Sequence, residues 1–230
     1  MNNNQTIVSV IMSVYNSSDS VKAAIKSILS QTFQNLELLI IDDCSEDNTY
    51  NICKKFEIQD NRVRVFKNKK NIGLTKSLNV LLKHARGEYI ARQDGDDVSC
   101  SSRLFSQYTL LEKNLHIDGC TTRAKIANSK RLIPGLSYYL PVRFLIRYKN
   151  PFIHGSLFIR KDSLNNIGRY DERFLYAQDY KLITDLINKG HQLKIIKQPL
   201  YELNMENNIS TKFKKEQEYF AQCVRKNLIP

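Results

Sequence analysis

Long apolar runs are the first thing this 230-residue chain lacks. The stretch Ile7 to Val14 falls far short of the roughly 20 residues a membrane span needs, and no later segment comes nearer. Met1 to Thr6 carries no basic residue of the kind that opens a signal peptide. Cys-x-x-Cys pairs are also missing. The five cysteines, Cys44, Cys53, Cys100, Cys120 and Cys223, are odd in number and scattered. They predict reduced thiols in a cytoplasmic protein, not a disulfide framework or a zinc site. Asn16-Ser17-Ser18 and Asn208-Ile209-Ser210 have sequon spacing, which is read as coincidence in a chain without a leader. Tryptophan is absent, so indole quenching cannot report on ligands. Finally, Ser13-Val14-Tyr15-Asn16-Ser17-Ser18 contains no glycine. The dinucleotide fingerprint and the P-loop both need glycine after the first strand, so NAD-type and ATPase functions fall away.

What is present describes an ordinary globular composition, 42% hydrophobic and 25% charged. The formal charge is +12, which calls for nucleic acid, an anionic membrane surface or a diphosphate-bearing substrate, unless it reflects compositional bias alone. The cations are spread over Lys54-Lys55, Lys67 to Lys70, Arg143 to Lys149 and Lys212 to Lys215, and no nucleic-acid module accompanies them. No nucleic-acid partner is expected.

Strand and helix patterns alternate over the first hundred residues. Ile7 to Val14, Leu36 to Ile41, Arg62 to Phe66 and Tyr89 to Ala91 read as strands. Helical spacing follows each of the first three: Val21 to Leu29, a helix from Asp47 to about Phe56, and Leu74 to Ala85, with N-caps offered by Ser18 to Ser20. The order predicts an α/β fold with a mainly parallel central sheet flanked by helices. The second half is less regular. Helices are expected at Arg103 to Lys113, Asp179 to Asn188 and Lys212 to Asn227, and strands at Cys120 to Ile126, Ser156 to Arg160 and Gln192 to Ile196. Leu136 to Lys149 is either a basic, aromatic surface segment or an amphipathic core helix. With no repeat and no linker, residues 1–230 form one domain.

Ligands of parallel sheets bind beyond the carboxyl ends of the strands. Ser13, Tyr15 and Asn16 follow the first strand, Asp42-Asp43 the second, Asn71 and Gly73 the third, and Asp94-Gly95-Asp96-Asp97 the fourth. Three carboxylates within four residues repel one another unless a cation sits among them, and oxygen ligands suit Mg²⁺ or Mn²⁺. An acidic surface turn is the alternative. Tyr15 could stack on a nucleobase. Asp43 could accept the imide N–H of uracil or thymine, or the N1–H of guanine, a proton that cytosine lacks; capping of the following helix is the alternative for Asp42-Asp43.

These residues carry a resemblance. Val8-Ser9-Val10-Ile11-Met12-Ser13-Val14-Tyr15-Asn16, Gln31-Thr32-Phe33, Ile41-Asp42-Asp43 to Thr49, Asn71-Ile72-Gly73-Leu74, Gly87-Glu88-Tyr89-Ile90 and Asp94-Gly95-Asp96-Asp97 occur in the order of family 2 glycosyltransferases of the GT-A fold. The similarity resumes at Asn150-Pro151, His154-Gly155-Ser156, Gly168 to Glu172 and Ala177-Gln178-Asp179-Tyr180, covering roughly residues 7 to 200. The resemblance implies inverting transfer of a sugar from a nucleoside-diphosphate sugar, with UDP preferred, to a saccharide or lipid-linked acceptor hydroxyl in surface polysaccharide, capsule or lipooligosaccharide synthesis. It implies Asp96 as the Mn²⁺ or Mg²⁺ ligand and Asp94 toward the ribose or the metal's waters. Asp43, Ser13, Tyr15 and Asn71 would line the nucleotide pocket, and Asp179 would be the base.

On that basis residues 1–100 form a nucleotide-binding half, about 101–200 an acceptor and catalytic half, and 201–230 a tail. The resemblance has departures. Gln178 stands where the family often has Glu, and Ser101-Ser102 precede Arg103-Leu104 in place of the usual proline. Arg103, Gln178 and His154 are expected toward the acceptor or diphosphate; for His154, a buried, hydrogen-bonded structural role is the alternative. The basic surface also fits peripheral contact with the inner face of the membrane. The rival function is a catalytically inactive nucleotide or sugar binder of the same fold.

Overall fold

In the first half of the chain, β1 (Val8–Val14), β2 (Leu36–Asp42), β3 (Val63–Lys67) and β4 (Tyr89–Arg92) alternate with α1 (Val21–Leu29), α2 (Thr49–Gln59) and α3 (Leu74–His84) in a computed structural model. The structure describes residues 6–205 and 213–230. The Asn208 sequon and Lys212, the expected first residue of the last helix, lie outside the described residues. The apolar alternation serves two buried faces. Val8, Val10 and Met12 of β1, with Leu36, Leu38 and Ile40 of β2, pack into one core beside α1. Ile11, Leu39 and Ile41 point the other way, into a core shared with α3. Each fully buried aliphatic side chain contributes about 1.5–3 kcal/mol.

β1 pairs in parallel with both β2 and β4, and β2 with β3. The chain therefore winds outward from β1 to β3 and then returns to the far side of β1. Strand order reverses between β1 and β4, the crevice where open α/β sheets hold ligands.

The second half continues the same sheet with mixed directions. It contains β5 (Val98–Ser99), α4 (Arg103–Lys113), β6 (Gly119–Ile126), β7 (Leu132–Ile133), α5 (Val142–Leu145), β8 (Phe158–Arg160), α6 (Lys161–Asn166), α7 (Gln178–Asn188), β9 (Leu193–Leu203) and α8 (Lys214–Lys226). The order is β3-β2-β1-β4-β8-β6-β9-β5, with β7 on β6. β8 runs antiparallel to β4 and β6, whereas β9 runs parallel to β6. The domain is thus a single α/β layer structure, parallel in its first half and mixed in its second.

Several boundaries differ from the sequence expectation. β9 extends through Leu203, because register shifts around Thr122 to Ala124 of β6 absorb the interruption at Pro199. His154–Ser156 forms a 3-10 turn ahead of β8. Leu136 to Lys149 is not one amphipathic helix. It breaks at Pro141 into the 3-10 turn Leu136–Tyr139 and the short α5, and its aromatic residues are largely exposed. Ser20 stands at the N-cap position of α1 without capping it; its hydroxyl bonds Gly95 O at 3.1 Å instead.

Candidate active site

The acidic turn follows β4 and lies against the end of β1. Gln93 N donates to Ile11 O at 3.1 Å, and Gly95 is pressed so close that an added Cβ would stand 2.7 Å from Val14 Cγ1. Only glycine allows that approach. Five residues, 93–97, then carry the chain to β5 on the opposite edge of the sheet order. The turn therefore bridges the two halves.

Its bracing comes from both. The buried Gln93 amide donates to the carbonyls of Asp94 (3.0 Å) and Asp97 (2.9 Å). From β9, the Tyr201 hydroxyl accepts from Asp94 N at 3.1 Å. Just past that strand, Asn204 N donates to Asp97 Oδ1 at 2.8 Å. Beneath the turn, the Arg92 guanidinium, 1% exposed, pairs with Asp94 and also donates to Gln93 O. Arg103 does not reach the open face where the acceptor or diphosphate was expected. It is fully buried, donates to Arg92 O at 3.1 Å and lies 5.5 Å over the Tyr201 ring, so it supports the turn from below.

The three acids differ in consequence. Asp97 is buried, and loss of hydration followed by the charges of Asp94 and Asp96 pushes its carboxyl up to about 8. Asp96 keeps an exposed edge, yet loss of hydration at its carboxyl, followed by the Asp94 charge, lifts it to about 6. Among the described residues no three His, Cys, Asp or Glu side chains are arranged to hold a metal ion. The donor chemistry nonetheless fits a hard divalent cation of the Mg²⁺ type, which takes one or two carboxylates and completes its shell with water and substrate phosphates. Asp94 and Asp97 are already engaged, so Asp96 is the carboxylate left to meet it.

At the neighbouring strand ends, Ser13 is half-buried and Tyr15 is 45% exposed. Asp43 is buried and accepts from Asn68 Nδ2 (2.7 Å), Ile72 N (2.9 Å) and Gly73 N (2.8 Å). It organises the β3–α3 loop, in which Gly73 adopts φ +84°. A carboxylate offers about four lone-pair sites, so one remains on Oδ2 for a base N–H. Asn71 is exposed in that loop, its Oδ1 bonded to Gly73 N at 3.1 Å. Asp42 does not join this rim. It is fully buried, accepts from Ser45 N at 3.2 Å, and its Oδ1 has no partner.

The second half closes the site. Gly155 lies so near the turn that a Cβ there would be 2.5 Å from Asp94 Oδ2. Beside it, His154 Nε2 bonds the Tyr170 hydroxyl at 2.8 Å. Burial, then the Arg92 charge, holds the imidazole down at about 4, while Asp179 and Asp94 pull the other way. His154 is therefore neutral near pH 7 and hydrogen-bonded, the placement its structural alternative expects. Asp179 is half-buried in the first turn of α7. Its Oδ2 accepts from Asn150 Nδ2 at 2.8 Å. Gln178 is the half-buried first residue of the same helix. Ala177, held at φ 51°, donates its N–H to Gln217 Oε1 of α8 at 3.2 Å. Asn150, Arg92, Tyr201 and Gln217 were given no role by sequence reasoning. Asn150 stood within a recognised motif, which was its one available signal.

A single α/β domain whose central sheet is parallel in its first half, mixed in its second and flanked by helices is the GT-A arrangement. The chain belongs to glycosyl transferase family 2, whose model matches residues 9–168. It is 32% identical over 209 residues to EpsE of Bacillus subtilis (strain 168), covering 87% of this chain and 74% of that protein. A second relative is WfgD of Escherichia coli, a UDP-Glc:α-D-GlcNAc-diphosphoundecaprenol β-1,3-glucosyltransferase, 31% identical over 82% of this chain and 83% of its own. Among solved structures, Staphylococcus aureus TarS residues 1–349 with UDP-GlcNAc superposes at TM-score 0.79 (21% identity, 95% of this chain, 65% of that one). The Pyrobaculum calidifontis mannosyltransferase PcManGT with GDP-Man and Mn²⁺ superposes at 0.75 (17% identity, 97% and 65%). The chain thus spans about two thirds of those solved chains. It is a glycosyltransferase-family member related to bacterial surface-polysaccharide enzymes.

Proposed function

We propose that this protein is an inverting glycosyltransferase that moves a sugar from a UDP-sugar to an acceptor hydroxyl. The observation that carries the reading is the pair of braced carboxylates contributed by the two halves: Asp94 of the acidic turn lies against Gly155, and Asp179 at the start of α7 is held by Asn150 at 2.8 Å. A carboxylate on one side of a site and a diphosphate-binding turn on the other is what inversion requires. The acceptor oxygen attacks the anomeric carbon opposite the leaving diphosphate, through an oxocarbenium-like state. Asp179, held by the Asn150 amide, takes the hydroxyl proton as the bond to the nucleotide breaks. Ser13 and Tyr15 flank the nucleotide, Asp43 offers its remaining lone pair to the uracil imide N–H, and Asn71 borders the same pocket. Asp96, with Asp94 beside it, would hold Mn²⁺ or Mg²⁺; when bound, that cation would offset the diphosphate charge.

The relatives support a polysaccharide pathway. WfgD uses UDP-glucose and a diphosphoundecaprenol acceptor, which supports a UDP donor and a lipid-carried acceptor here. PcManGT holds Mn²⁺ with its nucleotide sugar. Free cysteines support a cytoplasmic setting. No described helix is long and apolar enough to cross a membrane; we read contact with a lipid-carried acceptor as peripheral, on the basic surface of the chain. Calorimetric titration with UDP, GDP and CDP in Mn²⁺ tests the donor. UDP is expected to bind tightest and CDP weakest; equal binding of CDP would remove Asp43 as base reader. Anomeric NMR of the product tests inversion, and retained configuration would overturn it.

A further inference from the structure

The segment before Asn150 exposes a face that the transfer chemistry does not use. Tyr139, Leu140, Phe144 and Tyr148 are 69%, 48%, 52% and 61% exposed within ten residues. The short α5 explains the grouping. Leu145 and Ile146 turn inward, while Arg143, Phe144, Arg147 and Tyr148 remain outside. The i,i+4 rings of Phe144 and Tyr148 stand 5.3 Å apart. Exposed apolar clusters of this kind mark interaction sites.

Charge says what covers it. Between Asp118 and Asp162 the chain carries no acid and nine lysines and arginines. All 23 acids of the protein lie outside that stretch. A second copy packed face to face would oppose Arg143 and Arg147 to their own likes, which disfavours a symmetric dimer. A polyanion would match the cations and leave Leu140 and Phe144 without a role. An anionic bilayer satisfies both: basic residues meet headgroups while aromatic and aliphatic side chains enter the interface.

We propose that Tyr139, Leu140, Phe144 and Tyr148, flanked by Arg143 and Arg147, form a docking face for an anionic lipid bilayer. The location gives the contact a purpose, one that rests on the assignment of Asp179. Tyr180 Oη donates to Ile146 O at 2.5 Å, and Asn150, two residues beyond Tyr148, bonds Asp179 at 2.8 Å. The face is therefore tied to the first turn of α7, and docking there brings the base toward a hydroxyl carried by a lipid.

Co-sedimentation of the whole protein tests this, using phosphatidylcholine vesicles with and without about one quarter phosphatidylglycerol. Retention is expected only on the anionic vesicles, falling as added salt shortens the screening length from about 30 Å at 0.01 M to about 10 Å at 0.1 M. The double variants Phe144→Ser/Tyr148→Ser and Arg143→Gln/Arg147→Gln are each expected to weaken partitioning about tenfold. Ile58→Ser, at an 83% exposed position on α2, serves as the control and is expected to bind like the parent. Absence of sedimentation, equal retention on neutral vesicles, or full retention by the aromatic variant overturns the proposal. So does a concentration-dependent dimer that the same substitutions abolish, since the face would then be a self-interface. The assay contains no nucleotide sugar, so its failure leaves the role of Asp179 standing, and loss of that role leaves the vesicle result standing.

Discussion

The two halves of this sheet build their share of the site in different ways. In the parallel half, strand ends do the work directly. β1, β2 and β4 terminate side by side, and Tyr15, Asp43 and Asp94 occupy the next one or two positions after those ends. In the mixed half, no strand end supplies the proposed base. Asp179 comes from a helix start and is fixed by side chains remote in sequence: Asn150 on its carboxylate and Gln217 on the preceding backbone. A regular scaffold suits a constant task such as holding a nucleotide, whereas an irregular one can be reshaped around varied acceptors. The division predicts that donor-side substitutions move affinity and acceptor-side substitutions move turnover.

The largest expected effect on affinity is at Asp96. Asp96→Ala should weaken UDP binding in Mn²⁺ by about 10- to 100-fold, read by calorimetry, and remove the dependence of binding on the cation. Unchanged binding would break the donor-side assignment. On the other side, Asn150→Ala should lower kcat about tenfold by releasing the Asp179 carboxylate, with KM for the donor sugar unchanged. A rise in KM alone would place Asn150 with the nucleotide and blur the division.

The smallest effect concerns pH. The Asp97 carboxyl, 3.8 when unperturbed, is raised to about 8 in the folded protein. Its contribution to stability is therefore complete below about 4 and is lost as pH rises toward 8. His154 has the opposite sign: its imidazole is held down at about 4, so its contribution is present above its ordinary value of 6.5 and is lost as pH falls toward 4. Between pH 7 and 8 the Asp97 slope stands alone of the two. In chelator-treated protein, Asp97→Asn should flatten the decline in Tm over that interval by roughly one to three degrees. A parallel decline in the variant would show that Asp97 is ionised in the fold.

Much of the parallel half is legible in the sequence because a strand buried on both faces, a glycine-free turn and acids at strand ends are local patterns. Ile7 to Val14 and Leu36 to Ile41 fall on β1 and β2 to within a residue. β5 and β7, at two residues each, have no period to detect. Tyr201 reaches Asp94 across 107 residues, and no spacing rule connects them. Arg103 was expected toward the acceptor or diphosphate; the structure buries it under the turn, where Arg92 O and the Tyr201 ring engage it. Resemblance pointed to Asp179 but carried no information about the amide that orients it.

The most direct test of a divided site is Asp179→Asn, with turnover and UDP affinity measured on the same preparation. The account predicts a fall in kcat of about 10²- to 10⁴-fold with calorimetric UDP affinity in Mn²⁺ unchanged. Turnover equal to that of the parent, or a loss of UDP affinity matching the loss of turnover, would contradict it.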